Sequence, residues 1–89
     1  METTVHAIFR GRVQGVNFRM ETFLRARDFG VKGWIRNLPD GTVEAVFSGE
    51  ENAVSELISY CRTGIRKAFV ESYTGEKIEN QHFHDFSIR

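Results

Sequence analysis

Hydrophobic and polar residues alternate along five short segments of the chain, a pattern typical of β-strands with one buried face. The first covers residues 4–10, where Val5, Ala7 and Phe9 share one side. The same pattern predicts strands over 31–37, 42–47, 67–73 and 83–88, and it leaves an extension of the fourth towards Lys77 open. Between the second and third, Leu38-Pro39-Asp40-Gly41 has proline and glycine where a type I turn favours them. We therefore expect a β-hairpin there.

Helical spacing replaces alternation in two other segments. Residues 18–29 predict a helix whose buried stripe is Phe18, Thr22, Ala26 and Phe29, with Phe23 at its margin. Met20 and Leu24 fall outside that stripe, so the amphipathic pattern of this helix is imperfect. A second helix has the cleaner stripe Val54, Leu57, Ile58 and Cys61.

Polar residues and glycines indicate where these helices begin and end. Ser48-Gly49-Glu50-Glu51 is typical of a capping box, so we expect Ser48 to be the N-cap of the second helix. Gly30 is placed to end the first helix in a left-handed conformation, and Gly64 to end the second.

The order of these elements is β-α-β-β-α-β, with one further strand possible near the C-terminus. This is the split βαβ arrangement of ferredoxin-like folds. Each helix has one apolar stripe, so both must cover the same face of the sheet. The sequence thus predicts an α+β, ferredoxin-like βαββαβ sandwich with a four- to five-stranded, mostly antiparallel sheet and two helices on one face, as a single domain over residues 1–89.

Composition narrows the class of protein. Twelve basic and twelve acidic side chains cancel, which argues against a surface that binds nucleic acid or membranes. The single cysteine, Cys61, excludes an internal disulfide and fits a reducing compartment. Because it lies in a core stripe, we interpret it as a small buried hydrophobe rather than a nucleophile. No secretory or transmembrane signal is visible, so we expect a cytoplasmic protein.

A glycine-punctuated loop joins the first strand to the first helix, within Gly11-Arg12-Val13-Gln14-Gly15-Val16-Asn17-Phe18-Arg19. Such a loop points backbone N–H groups at one spot beside the positive end of a helix dipole, which favours an anion. Arg19 is disfavoured in a first helical turn by the same dipole, unless a bound anion lies beside it. The alternative is an ordinary turn with Arg19 paired to a surface carboxylate. Spacing alone leaves both interpretations open.

The nonamer resembles the signature of the acylphosphatase family. A second family signature follows as Gly33-Trp34-Ile35-Arg36-Asn37-Leu38-Pro39-Asp40-Gly41-Thr42-Val43-Glu44. The resemblance covers essentially the whole chain and implies the same ferredoxin-like fold. It departs at Ile65, where family members usually carry proline after the glycine, and this puts the local turn geometry in doubt.

The resemblance implies roles for particular residues. The backbone of Val13, Gln14, Gly15, Val16, Asn17 and Phe18 would cradle a phosphoryl group, and Arg19 would clamp it through its planar fork of donors. Asn37 would orient a water for attack on phosphorus. Without the resemblance, a side-chain cap on the turn after the second strand is the stronger interpretation of Asn37.

The sequence gives little support for a metal site, a pair of catalytic carboxylates or a general base. His6, His82 and His84 lack the spacing of a zinc site, so we expect neither metal nor cofactor. Asp40 is explained by the turn, and Glu44 by water or a neighbouring cation. No general base is evident in either motif. The substrate must therefore be reactive already, as a carboxylic–phosphoric anhydride is.

We thus expect a metal-independent acylphosphatase that acts on small acyl phosphates, releases inorganic phosphate and is a monomer without nucleic-acid or membrane partners. A domain that binds phosphorylated ligands without hydrolysing them is one alternative. A ferredoxin-like RNA-binding domain is another, since aromatic side chains on an open sheet face can stack bases. The residues that could occupy that face are His6, Ile8, Lys32, Trp34, Arg36, Phe69 and Tyr73.

Overall fold

A computed structural model describes residues 1–89 as five strands and two helices. In chain order these are β1 (Glu2–Arg12), α1 (Phe18–Phe29), β2 (Lys32–Asn37), β3 (Val43–Glu50), α2 (Glu51–Thr63), β4 (Phe69–Ile78) and β5 (Phe86–Ile88). The predicted split βαβ arrangement is confirmed, with a fifth strand at the end of the chain. β1 and β3 are longer than expected, β4 continues past Lys77, and β5 begins three residues later than expected.

All five strands form one sheet in the order β4-β1-β3-β2-β5. β1 pairs antiparallel with both β3 and β4, and β2 pairs antiparallel with β3 as the predicted hairpin. Only β5 runs parallel to its neighbour, β2, so the sheet is mixed. This topology puts the end of β1 and the end of β2 at the same edge of the sheet, because both strands pair antiparallel with β3.

The hydrophobic core lies between the two helices and one face of the sheet. Val5, Ala7 and Phe9 point into it, as alternation predicted. The Phe9 ring lies 5.2 Å from the Phe18 ring and 6.5 Å from the Phe47 ring, measured between centroids. α1 buries Phe18, Thr22 and Ala26, and α2 buries Val54, Leu57 and Cys61, which confirms most of each stripe. Phe29 and Ile58, predicted in the same stripes, are only partly buried.

The capping box predicted at Ser48 is wrong. β3 continues to Glu50, because residues 48–50 pair with residues 2–4 of β1. The Glu50 side chain accepts hydrogen bonds from the N–H groups of Asn52, at 3.0 Å, and Ala53, at 3.3 Å. Ser48 donates instead to the carbonyl of Gln81 at 2.8 Å. Glu50 is therefore the N-cap of α2.

The helix ends agree better with the sequence. Gly30 ends α1 in the left-handed region, with φ 73°. Gly64 follows α2, and its N–H donates to the carbonyl of Tyr60. Ile65, where proline is usual, is buried in the core and begins a turn in which its carbonyl accepts from the N–H of Ala68 at 3.1 Å. Neither helix is long and apolar enough to cross a membrane.

The open face of the sheet lacks one of the aromatic residues predicted for it. Tyr73 lies on the helix side instead, with its ring 5.2 Å from that of Phe9, so its predicted position is wrong. The Trp34 ring is approached by the guanidinium groups of Arg36 and Arg89, at 5.4 and 4.7 Å from its centroid. Glu44 pairs with a neighbouring cation as expected, since Arg36 Nε lies 2.7 Å from one of its oxygens, and His6 Nε2 lies 2.7 Å from the other.

Candidate functional site

The loop between β1 and α1 adopts a backbone that L-residues rarely take. Gly15 has φ 74° and Asn17 has φ 67°, so two left-handed residues alternate with ordinary ones between Arg12 and Phe18. Glycine adopts this conformation without strain, and asparagine tolerates it better than most residues. Successive N–H groups in such a backbone form a concave nest that favours anions. The loop thus has the conformation expected of an anion cradle.

The N-terminus of α1 is left open by the protein. Asn17 occupies the N-cap position, but its side chain makes no capping hydrogen bond. The backbone N–H groups of residues 14–17 donate to no other backbone group. These donors, with the positive end of the helix dipole beside them, are therefore free for a ligand.

Gln14 ties the loop to the β2–β3 hairpin. Its side-chain Nε2 donates to the carbonyl of Leu38 at 2.8 Å and to the carbonyl of Thr42 at 2.9 Å. These two carbonyls lie on either side of the hairpin turn. One amide thus holds together two segments that are more than twenty residues apart in the chain.

The hairpin turn is stabilised without Asn37. Asp40 accepts hydrogen bonds from the Thr42 hydroxyl at 2.6 Å and from the Thr42 N–H at 3.0 Å. The hydrogen bond from that hydroxyl, and then the one from the N–H, lower the pKa of the Asp40 carboxyl. Asn37 Oδ1 is buried and has no hydrogen-bond partner. A buried amide oxygen without a hydrogen-bond partner costs free energy, and a ligand or water in the adjoining space could supply the missing donor.

That space is a cavity of about 320 Å³ at the edge of the sheet. It brings together six of the predicted site residues with two others, and its lining is Val13, Gly15, Asn17, Phe18, Arg19, Met20, Asn37 and Ile88. The other two predicted residues, Gln14 and Val16, do not line it, because Gln14 turns towards the hairpin and Val16 packs partly on the core.

Arg19 has no partner in the protein. It takes part in none of the ion pairs, so the surface carboxylate of the alternative interpretation is not found. The cavity therefore holds an uncompensated guanidinium, an open helix N-terminus and an unsatisfied amide oxygen together. An oxyanion and a water would satisfy all three.

The remaining candidates for chemistry lie elsewhere or are inert. Cys61 is 1% exposed, and burial raises the pKa of its thiol to about 12. Its Sγ lies 3.3 Å from the hydroxyl of Thr22 in the core, which confirms the interpretation as a buried hydrophobe. No group of three or more His, Cys, Asp or Glu side chains is arranged to hold a metal ion.

The sequence did not predict three features of the site: the positions of Met20 and Ile88 in the cavity wall, and the hydrogen bonds made by Gln14. Met20 was noted only as a residue outside the core stripe, and Ile88 as part of the last strand. Both line the cavity. The tether made by Gln14 joins backbone groups that no local pattern connects, whereas an apolar residue on the exposed side of a helix is a signal that could have identified Met20.

Comparisons with known proteins identify the family and the fold of this chain. The acylphosphatase family profile matches residues 5–88. An acylphosphatase of Thermoplasma volcanium is 49% identical, over 100% of this chain and 99% of its own length. The solved acylphosphatase of Coxiella burnetii has a TM-score of 0.94 and 34% identity, over 99% of this chain and 93% of that one. That of Bacillus subtilis has a TM-score of 0.91 and 31% identity, over 100% and 99% of the two chains. The chain belongs to the acylphosphatase family.

Proposed function

We propose that this chain hydrolyses acyl phosphates to carboxylate and inorganic phosphate in the cavity between the β1–α1 loop and the end of β2. The observation that carries the proposal is the meeting there of Arg19, without an ion-pair partner, and Asn37, with an unsatisfied buried oxygen. Family membership supports the reaction, a hydrolysis of an acid anhydride. Arg19 and the loop bind the phosphoryl group, and Asn37 places the water.

The phosphoryl group is bound by charge and by backbone donors. The Arg19 guanidinium engages two phosphoryl oxygens at once, which a lysine ammonium cannot do with the same geometry. The N–H groups of the loop, from Val13 to Phe18, hold the phosphoryl oxygens from the other side. Phosphoryl transfer depends mainly on positioning and on stabilising charge at the equatorial oxygens, and both are provided here.

Asn37 places the attacking water. Its Oδ1 accepts a hydrogen bond from the water, which satisfies the buried oxygen and aims the water's lone pair at phosphorus. As the new P–O bond forms, the bond to the acyl oxygen breaks and the carboxylate leaves with its electron pair. An amide is too weak a base to take the proton. That proton passes to a phosphoryl oxygen of the substrate.

The substrate must carry its own reactivity, since the site offers no activated nucleophile. Small acyl phosphates meet this requirement because a carboxylate is a good leaving group, whereas phosphate monoesters do not. We further propose that the chain needs no metal, because Arg19 supplies the positive charge that Mg²⁺ supplies in many phosphoryl-transfer enzymes. We also propose that it acts as a monomer in the cytoplasm.

Release of phosphate from acetyl phosphate tests the proposal, with a phosphate monoester such as phosphoserine as the control. We expect hydrolysis of the first and none of the second, unchanged by EDTA. A protein that bound phosphate but hydrolysed neither compound would be a binding module. Activity that disappeared with EDTA and returned with Mg²⁺ or Zn²⁺ would contradict the metal-independent mechanism.

A further inference from the structure

Two apolar side chains are exposed at the wall of the proposed phosphate site. Met20 is 43% exposed and Ile88 is 36% exposed, although both are large hydrophobic residues. Met20 follows Arg19 on α1, and Ile88 lies on β5, which pairs with the strand that carries Asn37. The other large exposed hydrophobic residues, Met1, Leu24 and Phe69, do not line this cavity. Two of the five large exposed hydrophobic residues thus lie together where a substrate would enter.

The cavity has room for more than a phosphoryl group. Its volume of about 320 Å³ is roughly ten times the ~30 Å³ that one water occupies in the liquid. The acyl carbon of an acyl phosphate is separated from phosphorus by a single oxygen. A phosphoryl group held by Arg19 therefore leaves the first carbons of the acyl group within reach of the cavity walls.

We propose that Met20 and Ile88 form an acyl-binding lip, which selects acyl phosphates with an apolar acyl chain. The inference rests on the proposed function, because the phosphoryl group must be held by Arg19 and the loop. Neither side chain carries a charge or a hydrogen-bond donor, and the Met20 thioether is only a weak acceptor, so the lip contributes contact with methylene groups and disfavours a charged acyl group. Met20 is unbranched and adaptable, which suits chains of differing length.

A second cavity beside the loop offers the opposite chemistry. It has a volume of about 470 Å³ and is lined by Val16, Asn17, Glu21, Ile65, Arg66 and Lys67. Two basic residues there would favour an acyl group with its own carboxylate. This cavity shares only Asn17 with the phosphate site and contains neither Arg19 nor Asn37, whereas Met20 and Ile88 line the same cavity as both.

The test compares kcat/KM for straight-chain alkanoyl phosphates from acetyl to hexanoyl, together with succinyl phosphate. Burial of a methylene group favours binding by up to about fourfold, so on an open lip we expect about a twofold gain per carbon. Butanoyl phosphate should exceed succinyl phosphate, which has the same number of carbons. In the Met20→Ala, Ile88→Ala double variant the loss should grow with chain length until the series is nearly flat.

Leu24→Ala is the matched control, because Leu24 is exposed on the same helix one turn beyond Met20 but lies outside the cavity. It should reproduce the parent series. An equal kcat/KM for all chain lengths in the parent, or a preference for succinyl phosphate, would overturn the lip, the latter in favour of Arg66 and Lys67. Failure of the proposed function looks different: no acyl phosphate would be hydrolysed, whatever its chain.

Discussion

The two helices of this protein begin in opposite ways. At the start of α2, the Glu50 carboxylate accepts hydrogen bonds from two backbone N–H groups, so the helix provides its own anion. At the start of α1, the N-cap Asn17 makes no such bond and is held in the left-handed region. The first turn of α1 contains a cation, Arg19, as well as an acid, Glu21, whereas α2 begins on an acid, Glu51.

This difference is the one expected between a helix start that serves the fold alone and one that binds a ligand. A capped N-terminus stabilises the fold and binds nothing further, whereas an open one leaves donors and dipole available to a ligand. The open start of α1 costs free energy of folding, which contacts in the rest of the fold offset. β1 and the hairpin hold the loop from both sides. The experiments below alter one side of the comparison at a time.

Loss of Arg19 should have the largest effect. Arg19→Ala removes the charged fork, so phosphate affinity and turnover should fall together, with kcat/KM lower by about three orders of magnitude or more. Arg19→Lys should restore little, because one ammonium cannot reproduce the bidentate geometry. Steady-state kinetics with acetyl phosphate measure this, and circular dichroism verifies the fold. Near-parental activity in Arg19→Lys would show that charge alone suffices.

Loss of Asn37 should act on turnover only. Asn37→Ala removes the amide that orients the water but leaves the phosphate cradle, so kcat should fall by about two orders of magnitude while the inhibition constant of inorganic phosphate stays nearly the same. Asp40 and Thr42 hold the hairpin turn without it, so the variant should fold. Parental turnover in this variant would remove Asn37 from the mechanism.

Inorganic phosphate should stabilise the protein through the open start of α1. At ten times its dissociation constant, a ligand of the native state contributes about 1.4 kcal/mol, which raises the melting temperature of a domain this small by several degrees. Chloride at matched ionic strength is the control, and Arg19→Ala should lose most of the shift. Equal melting temperatures in both salts would contradict an anion site.

Loss of the cap on α2 should affect stability alone. Glu50→Ala leaves two N–H groups without their acceptor, and removal of an N-cap side chain costs about 1 kcal/mol. The free energy of unfolding in urea should fall by about that amount, with kcat/KM and the phosphate-induced shift unchanged. A drop in phosphate affinity would mean that the two helix starts are coupled.

Sequence was sufficient for the elements whose cause is local. All five strands were predicted, although β4 alternates weakly, and the helix stripes were correct except that Phe29 and Ile58 are only partly buried. The backbone conformation of the loop also has a local cause, since Gly15 and Asn17 are residues that tolerate a left-handed conformation. The two signatures located Arg19 and Asn37, whose catalytic roles stay predictions.

What the sequence could not supply depends on pairing between distant segments. Ser48 and Glu50 are both plausible N-caps, and only the register of β3 against β1 decides between them. Tyr73 was assigned to the wrong face because β4 alternates weakly, and its partner Phe9 fixes the orientation. The bonds from Gln14 to the hairpin, and the place of Ile88 beside Asn37, likewise follow from the assembled sheet.

The position of β1 has a consequence for the synthesis of the protein. β1 precedes the other four strands in the chain, yet it lies inside the sheet, and its partners reach from Val43 to Ile78. Arg12, beside the phosphate loop, pairs with Phe69. Contacts between residues so distant in sequence make folding slow. The pairing of β1 therefore cannot be completed until β4 has been translated.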